Sequence, residues 1–90
     1  MGSLDADEVI GDLGYRISEL RSGLSLTQSK MAELMEVSIQ YYQRIEYGTE
    51  NLTIRSLIRI ANILGVGVND LFVPPSSRET KRGRPARTKE

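Results

Sequence analysis

The sequence predicts an all-α fold. One compact domain of five helices, with helices two and three forming a helix-turn-helix, is followed by a disordered basic tail. Apolar residues recur at steps of three and four along four successive segments, the spacing that lines one face of a helix. Thr27, Ser38 and Thr53 stand where such helices begin, and Gly23, Gly48 and Gly65 where they end. Ninety residues suffice for one core and not for two.

The segment Val9 to Arg21 sets Ile10, Leu13, Ile17, Leu20 and then Leu24 on one face, and Gly23 is expected to take the left-handed turn that stops it. Thr27 opens helix two, with Met31, Leu34 and Met35 facing inward and Ala32 small enough for close helix contact. Lys30 occupies the position of a capping-box acid, so that cap is half built. After a break at Glu36 and Val37, Ser38 opens helix three, which runs to Tyr47 with Tyr42 and Ile45 inward. A turn this brief forces a steep crossing of helices two and three.

Thr53 opens helix four, Ile54 to Leu64, with Leu57, Ile58, Ala61 and Leu64 as one stripe and Ile60 and Ile63 widening it. Val68 to Phe72 can form a last helical turn before Pro74-Pro75 bars continuation. From Ser76 onward little is apolar, which predicts disorder. The expected organisation is a flexible N-terminus over 1–8, a helix-turn-helix domain over 9–73 and a disordered basic tail over 74–90.

The absence of Cys, His and Trp removes disulfides, thiolate and imidazole metal ligands and the commonest general bases. Gly65-Val66-Gly67 follows a helix rather than a strand, so it is no phosphate cradle, and Asp5, Asp7 and Glu8 lack a metal-binding loop. No catalytic set, metal, cofactor or small-molecule ligand is therefore expected. With no apolar run of the roughly 20 residues a bilayer requires, and a polar, acidic start unlike a signal peptide, the expectation is a cytoplasmic protein off the membrane. The net charge of zero is segregated: residues 1–77 hold six of the twelve Lys and Arg and ten of the twelve acids, a balance of −4, against +4 in residues 78–90.

Leu13-Gly14-Tyr15-Arg16-Ile17 with Leu20-Arg21, Leu26-Thr27-Gln28, Met31-Ala32-Glu33-Leu34, Val37-Ser38, Arg44-Ile45-Glu46-Tyr47-Gly48, and Ser56-Leu57 through Ala61 to Leu64-Gly65-Val66 share one spacing. Over about residues 10 to 73 this resembles the phage repressor and Cro type (Xre-like) of helix-turn-helix transcriptional regulators. In its compact size the chain also resembles the controller proteins of restriction-modification systems. The resemblance implies a sequence-specific DNA-binding regulator with its recognition helix, about 38–47, in the major groove. It further implies that Gln28 clamps the DNA backbone, and that Arg21 and Glu46 form a partly buried structural salt bridge.

Of the outward residues of helix three, Ile39, Gln40, Tyr41, Gln43 and Arg44 are the expected base readers. The Gln40 amide suits adenine and the Arg44 fork suits guanine O6 and N7. Ile39 and the Tyr41 ring offer apolar contact to a thymine methyl, while the Tyr41 hydroxyl can instead reach a phosphate. Gln28, Ser38, Asn51 and Thr53 are the phosphate candidates, though Ser38 and Thr53 are equally explained as caps.

Two positions depart from the family pattern: Glu36 where a turn Gly is usual, and Thr49-Glu50 where a base often follows the recognition helix. In the tail, Lys81-Arg82-Gly83-Arg84-Pro85 resembles the core of an AT-hook, whose arginines, here Arg82 and Arg84, enter an A·T minor groove. The other reading is a solubilising tail that touches phosphates without preference. Surplus apolar residues at Ile63, Leu71 and Phe72 are candidates for a homodimer interface that sets two recognition helices about one DNA turn apart on an inverted repeat, with Ile63 the better one; the other reading is burial within the monomer, which the resemblance implies for Leu71 and Phe72. The competing reading is a protein-interaction adaptor or antitoxin with the same fold, favoured by the acidic body.

Overall fold

Asp5 opens the first helix. Its carboxylate accepts the backbone N–H groups of Asp7 at 2.9 Å and Glu8 at 3.4 Å, and those two acids also offset the positive helix end. Helix α1 therefore spans Ala6–Gly23, and residues 6–8 belong to it rather than to a flexible N-terminus. In this computed structural model, which describes residues 3–78, there follow α2 (Gln28–Met35), α3 (Ile39–Glu46), α4 (Ile54–Leu64) and a 3-10 turn, Val68–Phe72. The last of the five expected helices is thus a single tight turn.

Caps set the boundaries. Thr27, Ser38 and Thr53 accept the N–H groups of Lys30, Tyr41 and Ser56 at 2.9, 3.0 and 3.0 Å. Gly48 and Gly65 take the left-handed conformation at φ 77° and 73°. Gly23 does not: it stays helical, and Ser25 is left-handed at φ 59°, while the Leu26 N–H returns to the Arg21 carbonyl. Glu36 is left-handed too, φ 61° and ψ 44°, and the three residues Glu36 to Ser38 alone separate α2 from α3.

The core joins Leu13 and Ile17 of α1, Met31, Ala32 and Met35 of α2, Tyr42 and Ile45 of α3, Leu57, Ile60, Ala61 and Leu64 of α4, and Leu71. Three stripe assignments change: Leu24, Leu34 and Ile58 are exposed. Ile60, expected only to widen the stripe of α4, is fully buried. The inward line of α4 is 57, 60, 61 and 64, the three- and four-residue steps of one face, from which Ile58 is rotated by about a quarter turn.

Gly14 brings α1 and α3 into backbone contact: a Cβ there would lie 2.5 Å from the Glu46 carbonyl oxygen and 2.7 Å from that of Ile45. The chain also stays ordered past Pro74. Pro75 is buried, the N–H groups of Ser76 and Ser77 donate to the Glu19 carboxylate at 2.6 and 3.1 Å, and Arg78 forks onto Asp12 at 2.6 and 2.9 Å. The expected disorder from residue 74 is corrected as far as Arg78, because α1 sets Asp12 and Glu19 two turns apart along one face. The rest of the expected basic tail, residues 79–90 with Arg82 and Arg84, lies outside the described residues. No helix among the described residues is long and apolar enough to cross a membrane.

Candidate nucleic-acid interface

Helix α3 is held by a buried carboxylate. Glu46 is fully buried and accepts from Arg21 Nε at 2.5 Å, Arg21 Nη2 at 3.2 Å, Gln28 Nε2 at 2.9 Å and the Tyr42 hydroxyl. Arg21 also donates to the Leu26 carbonyl at 2.7 Å, which ties the end of α1 to the loop before α2. Burial on its own depresses the Arg21 pKa, but the hydrogen bond and charge of Glu46 outweigh it, so the guanidinium is held above its ordinary value. Burial, and then the Glu46 charge, push the Tyr42 hydroxyl well above the usual tyrosine range, so it remains a donor. Arg21 and Glu46 thus join three elements from inside and present nothing to a base.

Tyr42 is a member of this anchor that the sequence reading placed only in the core. Its spacing of four from Glu46 on one helix was the available signal.

A carboxylate only accepts, so Gln28 turns its amide nitrogen inward and its amide oxygen toward Gln43, whose Nε2 donates to it at 3.1 Å. One amide N–H of Gln28 is used in this chain of bonds, and the second is left to donate. The first-turn N–H groups of α2 that Thr27 does not cap are further donors at the same end of the helix.

Gln40 and Arg44 are exposed on α3. Ile39, Tyr41 and Gln43 are half-buried, and Ile39 and Tyr41 pack against the core edge. Arg44 Nε donates to Glu50 at 3.0 Å and its guanidinium carbon lies 5.6 Å from the Tyr41 ring centroid, a pairing across the loop that sequence spacing did not reveal. The Ser38 hydroxyl accepts the Tyr41 N–H and keeps its own hydrogen to donate. Thr53 spends its hydrogen on Ser56 Oγ at 3.1 Å while capping the same residue, so its hydroxyl is committed within the chain. Asn51 is exposed at the end of the loop.

Of the three apolar interface candidates, Leu71 is corrected: it is fully buried beneath α1 and α4 because the 3-10 turn closes the core there. Phe72, next in sequence, points the other way and is exposed, and Ile63 is half-buried. Among the described residues no group of three or more acids gathers to hold a metal ion.

The helix-turn-helix family matches residues 17–71, the stretch from mid-α1 to the final turn. The transcriptional regulator RamB of Mycobacterium tuberculosis is 33% identical over 54 residues, 60% of this chain, which spans only 11% of RamB's length. The restriction-modification controller protein C.AhdI of Aeromonas hydrophila superposes with a TM-score of 0.67 at 27% identity, over 70% of this chain and 96% of its own. The clp gene regulator ClgR of Corynebacterium glutamicum gives 0.69 at 25% identity, over 71% of this chain and 82% of its own. With a short-turned helix pair, a helix α3 fixed from inside and a family match over most of the fold, the chain belongs to the phage repressor and Cro type of the helix-turn-helix family.

Proposed function

We propose that the chain is a sequence-specific transcriptional regulator that lays α3 in the major groove and binds an inverted repeat as a homodimer in the cytoplasm. The observation that carries this reading is the two-sidedness of α3. Its inner face is fixed through Glu46, while Gln40 and Arg44 stand exposed beside Ile39, Tyr41 and Gln43. A rigid helix that offers an amide and a guanidinium can discriminate base edges by about 1–3 kcal/mol per bidentate contact. Gln28, Ser38, Asn51 and the first-turn N–H groups of α2 supply backbone contacts, and Ile63 with Phe72 form the dimer patch.

Selection of bound fragments from a random DNA pool is expected to return an inverted repeat with half-sites about one turn apart. Gln40→Ala with Arg44→Ala is expected to abolish the preference while circular dichroism stays unchanged. Retained preference removes α3 from the reading role.

A second reading, a protein-interaction adaptor or antitoxin, is favoured by a groove of about 670 Å³ between the α2–α3 turn and α4, lined by Leu34, Val37, Ile58 and Ile63 and rimmed by Arg55 and Arg59. Under it the random pool returns no motif, residues 79–90 are dispensable for nucleic-acid affinity, and a stoichiometric protein partner copurifies from the native cell.

A further inference from the structure

We propose that Glu50 is a specificity-determining positioning residue: it holds Arg44 as an end-on fork for guanine and lowers affinity for every other DNA. The inference rests on the reading of α3 as the recognition helix. Arg44 Nε donates to Glu50 Oε1 at 3.0 Å, and the Tyr41 ring lies 5.6 Å from the guanidinium carbon. The planar group is thus held at one edge and flanked at one face. No acceptor among the described residues takes either terminal amino group, so the edge left over is the pair of donors that matches guanine O6 and N7.

Two consequences pull in opposite directions. An exposed arginine gives up side-chain freedom when it binds, and one already restrained gives up less, which favours the single contact its geometry fits. The carboxylate that restrains it also offsets the Arg44 charge and adds a negative charge to the loop that follows the helix, which opposes phosphates of any sequence. Specificity is the difference between these affinities, so a loop acid raises it while weakening binding overall. The residue that stood out in the sequence as a missing phosphate contact is thereby given a role.

The test uses the full chain, an operator duplex from random-pool selection and its single-base variants. Arg44→Ala is expected to erase discrimination at one guanine, by about five- to 150-fold. Glu50→Ala is expected to raise affinity for scrambled duplex and to cut discrimination at that same guanine by about two- to tenfold, leaving the other positions alone. Both Glu50→Ala and Glu50→Gln are expected to steepen the salt dependence by about one unit, since each removes one charge. Glu50→Gln, which keeps an oxygen acceptor for Nε, is expected to restore most of the guanine preference.

If Arg44→Ala erases the preference and Glu50→Ala leaves it intact, the positioning role is overturned and α3 remains the reader. If Arg44→Ala changes no position, the assignment of Arg44 as a reader fails first, and this inference goes with it. Unchanged affinity of Glu50→Ala for scrambled duplex overturns the repulsive half.

Discussion

At the scale of single residues, the decisive group is the Glu46 carboxylate, which has lost all contact with water and depends on four donors for compensation. Removing its counter-charge is costlier than the pair is worth, because a bare buried carboxylate remains. Arg21→Ala is therefore expected to destabilise the fold by about 3–5 kcal/mol in denaturant titration. Tyr42→Phe, which deletes a single hydrogen bond to a charged acceptor and keeps the ring, should cost about 1.5–3 kcal/mol. A loss under 1 kcal/mol for Arg21→Ala, on the order of an exposed pair, removes the anchor as the reason α3 is rigid. Glu36 runs the other way. Held at φ 61° with a Cβ, it carries strain that glycine does not, so Glu36→Gly is expected to stabilise by up to about 1 kcal/mol while removing an acid from the α2–α3 turn.

At the scale of elements, the crossing of α1 and α3 is set by Gly14. Its would-be Cβ meets backbone atoms, which cannot rotate aside as a side chain can. Gly14→Ala must push the helices apart, and about 1–3 kcal/mol of overpacking cost is expected, with DNA discrimination falling because α3 shifts as a body. Wild-type melting and unchanged operator preference in Gly14→Ala count against this packing. Residues 75–78 add a second inter-element contact, pinned to α1 by the Arg78–Asp12 fork. The Arg78 hydrogen bond holds the Asp12 carboxyl below its ordinary 3.8, so this contribution is present at neutral pH and is lost as pH falls through the depressed value. The Arg78 Nε–H resonance is expected to shift in that acid range, and Asp12→Asn to remove the transition.

At the scale of the whole molecule, what the sequence disclosed and what it withheld separate by the distance over which each interaction acts. The caps at Thr27, Ser38 and Thr53 use atoms three residues apart, and the periodic stripes are local too, so helix order and type were legible. The reach of a basic side chain across a loop is not local. Neither Arg44 with Glu50 nor Arg78 with Asp12 follows from spacing, and at the end of α1 the left-handed residue is Ser25 rather than Gly23, with the Arg21 carbonyl accepting from both Leu24 and Leu26. The charge division moves accordingly: Arg78 belongs to the folded body, leaving residues 1–78 at −3 and residues 79–90, with five Lys and Arg and two acids, at +3. A body of that sign gains little from phosphates, so under the proposed DNA-binding reading non-specific affinity is expected to fall chiefly to residues 79–90. Truncation after Arg78 is expected to weaken binding to all duplexes alike and to flatten the salt slope by up to about 4.5 units, five cations at roughly 0.9 each. Binding isotherms across a salt series, on operators with A·T and with G·C flanks, decide it: a loss confined to A·T flanks reassigns Arg82 and Arg84 to the minor groove, and an unchanged slope places the attraction in the body after all.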